Sequence, residues 1–168
     1  SNLVVVFAPI GEPNAQLITL NEVNALSDVF RVPDALYVMP QDNMNRVVVA
    51  NGVEYVSRIE GVDLLYPTIF NRDVIGGRFF TQNDIDGIAR VAILGQKMVD
   101  RFFPETFPIG QTIRIGGVRF TIIGVLSTEG GEGLTTFLGG DADDIILVPI
   151  STAQTRLSGE RVLTGERP

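Results

Sequence analysis

GGRFFTQNDIDGIARVAILGQKMVDRFFPETFPIGQTIRIGGVRFTIIGV, residues 76–125, is the stretch on which the fold turns. Gly76-Gly77 interrupts the chain before the apolar anchor Arg78-Phe79-Phe80, and Thr81 to Asp84 has the form of a helix cap. Arg90 to Leu94 is short, β-branched and apolar, which predicts a buried strand. Gly95 turns that strand into Gln96 to Phe103, where Met98, Val99, Phe102 and Phe103 share one helical face. Pro104 stops this helix, because its ring and missing N–H cannot continue one. Thr112 to Ile115 and Val118 to Val125 then read as two strands joined through Gly116-Gly117. A two-residue glycine connection predicts a hairpin, since the turns that match strand twist need positive φ.

Working outward, Leu3 to Ala8 is apolar without alternation and predicts a strand covered on both faces. Thr19-Leu20-Asn21-Glu22 fits a capping box, and the following helix runs to about Val29 with Leu20, Val23 and Leu26 at helical spacing. Ala35 to Met39 and Arg46 to Ala50 read as two short strands separated by a polar loop, Pro40 to Asn45. Asn51-Gly52 is a strong hairpin signal, with Val53 to Ile59 as the returning strand. Gly61 to Phe70 reads as a short helix in spite of Pro67. Ser127 to Asp144 is irregular, Ile145 to Ile150 is a last apolar strand, and Ser151 to Leu157 is a short helix capped by Ser151. The sum is an α+β chain with more strand than helix. An α/β part over residues 1–50, a β-rich part over 51–160 and a polar tail over 161–168 are the expected divisions.

Composition narrows the function. The chain has 168 residues, 45% apolar and 20% charged, long enough for a real core. A net charge of −7, with one lysine (Lys97) and scattered arginines, argues against nucleic acid as a partner. With neither Cys nor His, thiol chemistry, Ser-His-Asp arrangements and nearly all zinc sites are excluded. No apolar run reaches the roughly 18 residues of a membrane span, and no signal peptide is apparent. The chain therefore reads as a segment whose membrane anchors, if any, lie outside it.

No residue is assigned to catalysis, to a cofactor or to a metal. Gly130 to Gly140 is rich in glycine but lacks the lysine of a phosphate-binding loop. Asp141, Asp143 and Asp144 lack the further oxygens of a calcium loop and read as solvated loop charge. Asp84 and Asp86 fit any loop, and Phe79, Phe80, Phe102 and Phe103 read as core. Leu134, Phe137 and Leu138 stand out as apolar residues in a glycine-rich segment. They either fold back on the core or contact a partner or substrate.

The phrases GRFFTQNDID, RVAILGQKMVDRFF, PIGQTIRIGGVRFTIIGVL and DDIILVPISTAQTRLSG occur in that order. Together they resemble the extracytoplasmic core domain of MacB-like and FtsX-like ABC transporter permeases, from about Leu3 to Gly159 and most densely from Gly76 to Leu126. The resemblance implies an α/β porter-like part with a mostly β part inserted into it. It implies an inner-membrane protein with this domain in the periplasm or outside the cell, needing no cofactor of its own. Its partners would be a second permease copy, an ATP-binding domain in the same chain or complex, and a periplasmic adaptor protein. The expected role is non-catalytic, coupling cytoplasmic ATP hydrolysis to periplasmic motion in the export of drugs, peptides or lipoproteins. The family's domain also continues past this chain to complete the α/β part, so Leu3 to Ala8 is expected to lack a neighbour and to promote self-association. The alternative is a free-standing secreted solute-binding domain.

Overall fold

The computed structural model describes residues 4–9, 36–128 and 140–158. Eight strands form one mixed sheet: β1 (Val4–Pro9), β2 (Leu36–Ala50), β3 (Val53–Val62), β4 (Val74–Gly77), β5 (Val91–Leu94), β6 (Thr112–Ile115), β7 (Val118–Leu126) and β8 (Ile145–Pro149). The order is β1-β2-β3-β8-β5-β7-β4, and β6 pairs with both β2 and β7. That last pairing closes a ring, β2-β3-β8-β5-β7-β6, through Val48 opposite Ile115 and Val49 opposite Arg114. A closed ring has no free edge of its own. β4 and β1 are added outside it, on β7 and β2.

The ring is lined by one face of all six strands. Met44, Val48, Ile59, Leu94, Ile113, Ile115, Phe120, Ile122, Ile146 and Val148 form one buried cluster. Ile93, Ile145 and Leu147 point the other way and join Val62, Tyr66, Ile69, Phe70 and Phe80 in a second. β5 and β8 are thus covered on both faces, which is why they read as continuous apolar runs rather than alternating ones.

Four short helical pieces complete the described chain: α1 (Tyr66–Phe70), α2 (Gln82–Asp86), α3 (Gln96–Phe102) and α4 (Ile150–Thr152), which runs on as a π-helical turn over Ala153–Leu157. Met98, Phe102 and Phe103 of α3 and its cap enter the inner cluster at the end marked by Asn51. Ala153 and Leu157 enter it at the opposite end, where a Cβ on Gly61 would lie 2.6 Å from that of Ala153. Glycine at position 61 lets the helix sit directly on β3.

Several expectations hold. Asn51 and Gly52 have φ of 49° and 76°, and Gly116 and Gly117 have 55° and 79°, so both hairpins turn through left-handed pairs. Thr81 caps α2 in a capping box whose third residue is Asp84. Phe80, Phe102 and Phe103 are buried.

Others are corrected. The expected loop Pro40 to Asn45 is strand: β2 is continuous, and Asp42 to Asn45 pair with Gly61 to Arg58. Asp42 and Met44 are buried while Asn43 and Asn45 are exposed, so the alternation persists through polar residues. The helix expected from Gly61 starts only at Tyr66, with Pro67 in its first turn where no N–H is missed; Gly61 and Val62 extend β3 instead. β4 was hidden by its two glycines. Ser151 does not cap α4; it lies inside the helix and its hydroxyl donates to the Ile85 carbonyl at 2.5 Å. The capping box at Thr19, its helix, and Leu134, Phe137 and Leu138 lie outside the described residues.

Candidate functional site

The segment carrying Leu134, Phe137 and Leu138 leaves the sheet after β7 and rejoins it at β8, and its two roots meet on one side chain. Arg72 follows α1 directly and is 1% exposed. One guanidinium nitrogen donates to the Ala142 carbonyl at 2.6 Å and towards the Tyr66 hydroxyl at 3.4 Å. The other donates to the Ser127 carbonyl at 2.7 Å and to the Asp143 carboxylate at 3.2 Å. Ser127 lies just after β7 and Ala142-Asp143 just before β8. A planar five-donor fork can hold both roots at once, which an ammonium cannot. Backbone pairing adds to it: Ser127 N–H donates to the Asp73 carbonyl at 2.8 Å.

The acidic turn Asp141 to Asp144 lies at the surface, as expected of loop charge, with Asp141 exposed and Asp143 and Asp144 partly so, but its carboxylates are also paired. Each carboxylate faces its own cation from a different part of the chain. Asp143 meets Arg72, Asp141 meets Lys97, and Asp144 meets Arg101 at 3.0 Å. The Lys97 ammonium holds the Asp141 carboxyl below the usual carboxylate range, and Asp141 in turn raises Lys97. The Asp141 side chain also accepts from the Asp143 N–H at 3.1 Å, fixing the turn locally. A carboxylate group compensated in this way by the chain itself is a clasp.

α3 is locked to the same turn by its backbone. Gly95 N–H donates to the Ile145 carbonyl at 2.9 Å and Lys97 N–H to the Asp143 carbonyl at 3.0 Å. A Cβ at Gly95 would come within 2.5 Å of the Asp143 oxygen, so only glycine admits this approach. Arg101 extends the linkage, since its guanidinium carbon lies 3.7 Å from the centroid of the Tyr55 ring on β3. The clasp therefore joins α1, α3, β3 and β8 around the roots of residues 128–141.

Asp84 is committed elsewhere. It caps α2 and pairs with Arg78 at 2.7 Å, and that arginine above all lowers its carboxyl. Asp86 accepts from Gln82 at 2.8 Å on the surface. The two carboxylates are thus used separately. Sequence reasoning missed Arg72 because a single arginine after a predicted helix carries no spacing signal.

The chain's similarity to known proteins agrees with this architecture. Residues 1–165 match the model of the MacB-like periplasmic core domain. The chain is 33% identical over 148 residues to a macrolide export ATP-binding/permease protein, MacB, of Hyphomonas neptunium, covering 88% of this chain and 22% of the relative. It is 35% identical over 164 residues to a pyoverdine export ATP-binding/permease protein, PvdT, of Pseudomonas savastanoi pv. phaseolicola, covering 96% and 24%. It thus spans about a quarter of the length of these relatives. Among solved structures, the periplasmic region of MacB from Actinobacillus actinomycetemcomitans superposes with a TM-score of 0.66 at 20% identity, over 87% of this chain and 61% of that one. The extracellular domain of the ABC-type transporter YknZ from Gram-positive bacteria gives 0.62 at 23%, over 82% and 65%. These two share the fold. The chain belongs to the MacB-like periplasmic core domain family.

Proposed function

We propose that this domain is a non-catalytic part of an ABC exporter permease, lying outside the inner membrane and moved by ATP hydrolysis on the cytoplasmic side. The observation that carries the reading is the closed ring filled on the inside and clasped at Arg72. A domain that relays motion must move as one body, and a ring without free edges, packed on both faces of β5 and β8, resists internal shear. The relatives' names, macrolide export and pyoverdine export, support export as the process. Drugs, peptides or lipoproteins are the proposed cargo. A second permease copy and a periplasmic adaptor are the proposed partners, with the ATP-binding domain in the parent chain or its complex. Leu134, Phe137 and Leu138 are the proposed contact residues, on a segment whose roots Arg72 holds. The division into an α/β part (1–50) and a β-rich part (51–160) is also proposed, with β2 running from one into the other.

These 168 residues contain no cysteine, so an introduced thiol marks this domain, with the unsubstituted parent protein as the blank. With Ile75→Cys, exposed on β4, a membrane-impermeant maleimide should label cells whose outer membrane is permeabilised and whose inner membrane is intact. Labelling only after the inner membrane is broken would contradict the placement. The purified 168-residue chain should bind no ATP; saturable binding would contradict the non-catalytic role.

A further inference from the structure

The outward face of β3-β2-β6-β7 lies on the outside of the ring. Antiparallel register sets its rows: Val47 is opposite Val56, Val49 has Glu54 on one side and Arg114 on the other, and Arg114 is opposite Arg119. All of these are exposed, Val47 by 43%, Val49 by 39% and Val56 by 60%. Their neighbours in register, Val48, Ile113, Ile115 and Phe120, point into the ring and are buried, so the face is outward along its whole width. Three adjacent valines thus lie open beside two adjacent arginines.

The arginines are the unusual feature. Like charges directly opposite on paired strands repel and lower stability. Among the described residues neither Arg114 nor Arg119 makes an ion pair or a side-chain hydrogen bond. The chain carries 20 acidic residues against 13 basic ones, so a carboxylate beside either would have been easy to supply. Among the described residues, the three cations at the acidic turn, Arg72, Lys97 and Arg101, are each matched by a carboxylate.

We infer that this face docks a separate protein whose surface sets carboxylates beside aliphatic side chains, the carboxylates meeting Arg114 and Arg119 and the aliphatic groups covering Val47, Val49 and Val56. Arginine presents a fork to each carboxylate, and the exposed valines supply apolar area beside it. An anionic membrane is disfavoured, since two arginines bounded by Glu54 fall short of the four to eight cations such recognition uses. A second copy of this face is disfavoured too. It would bring one Glu54 carboxylate to every two guanidiniums and leave the rest unmatched.

The test places a photo-crosslinking amino acid at Val47 in the protein expressed from its own gene in its own cells. The adduct should map to a different protein, at a peptide with at least two Asp or Glu within a few residues of the crosslink. Its yield should fall at least tenfold in the R114E/R119E double variant. A second crosslinker, at Ile75 on the far strand β4, reports whether that variant is folded: its adducts should be unchanged. Adducts to lipid, to a second copy or to peptides without carboxylates would overturn the inference. So would no adduct at Val47, or a yield indifferent to charge reversal. If the double variant loses the Ile75 adducts as well, the single variant Arg119→Thr is used, which removes the like-charge pair and must still lower the Val47 yield severalfold; an unchanged yield would overturn the inference.

Discussion

The side-chain amide of Asn51 donates to the carbonyl of Phe102 at 3.0 Å. One residue therefore performs two tasks: its left-handed backbone makes the β2-β3 turn, and its side chain satisfies an orphan carbonyl at the end of α3. Asn51→Gly keeps the first and loses the second, so it should lower stability by about 1 kcal/mol. Asn51→Val loses both and should lower it further, as β-branched residues tolerate positive φ poorly. Equal urea midpoints for the two variants would contradict this division.

Glycines with positive φ are separable by space. Gly117 has φ of 79° with open room for a Cβ, whereas at Gly77, with φ of 74°, a Cβ would lie 2.0 Å from the Ile123 carbonyl oxygen. Gly117→Ala should therefore cost about 1–2 kcal/mol from conformation alone. Gly77→Ala should prevent β4 from pairing with β7, with a clearly larger loss in denaturant titrations.

Ile88 has φ of 50° just after Gly87, whose own φ is −83°. The glycine sits one residue too early to serve the left-handed position, and a β-branched residue bears the strain. Ile88→Asn should be more stable than Ile88→Ala by several tenths of a kcal/mol to about 1 kcal/mol, because Asn visits this region readily. Thermal midpoints of the pair decide it.

Two carboxylates give stability opposite pH dependences. Arg78 chiefly lowers Asp84, so the folded state releases this proton more readily than the unfolded one, whose value is near 3.8. That contribution is complete above the unfolded value and is lost as pH falls through the lower, folded one. Burial chiefly raises Asp63, against the Leu65 N–H that it accepts. Here the folded state holds the proton more tightly, so stability declines as pH rises from the unfolded value through the folded one. Asp63→Asn should raise stability at neutral pH, and Arg78→Ala should flatten the acid limb. The reverse signs in urea titrations between pH 3 and 7 would contradict both assignments.

Removing the clasp has unequal effects. Arg72→Met removes the guanidinium from the buried Ala142 carbonyl and from the partly buried Ser127 carbonyl and Asp143 carboxylate, a loss of about 3 kcal/mol. Lys97→Ala breaks an exposed pair, and the denaturation midpoint should barely move.

The sequence carries the local signals of this fold and little of its closure. Asn51-Gly52, Gly116-Gly117, the Thr81 cap and the apolar runs of β5 and β8 are legible because each is a short-range physical constraint. The polar residues from Gln41 to Asn45 suggest a break in β2, although its alternation continues through the buried Met44. β6 reaching β2 depends on pairs more than sixty residues apart, which no periodicity reveals. The clasp is harder still. Asp143, Asp141 and Asp144 meet cations 71, 44 and 43 residues away, a pairing that no local signal in the acidic turn reveals.

Movement as a single body is the central claim, and pulsed EPR distances in the parent transporter test it most directly. Spin labels at Val56→Cys and Ile75→Cys within one domain report internal change, and a Val56→Cys label in each of two copies reports relative motion. The first distance should be the same with and without ATP while the second shifts. A nucleotide-dependent change in the first, or a second that stays fixed, would contradict it.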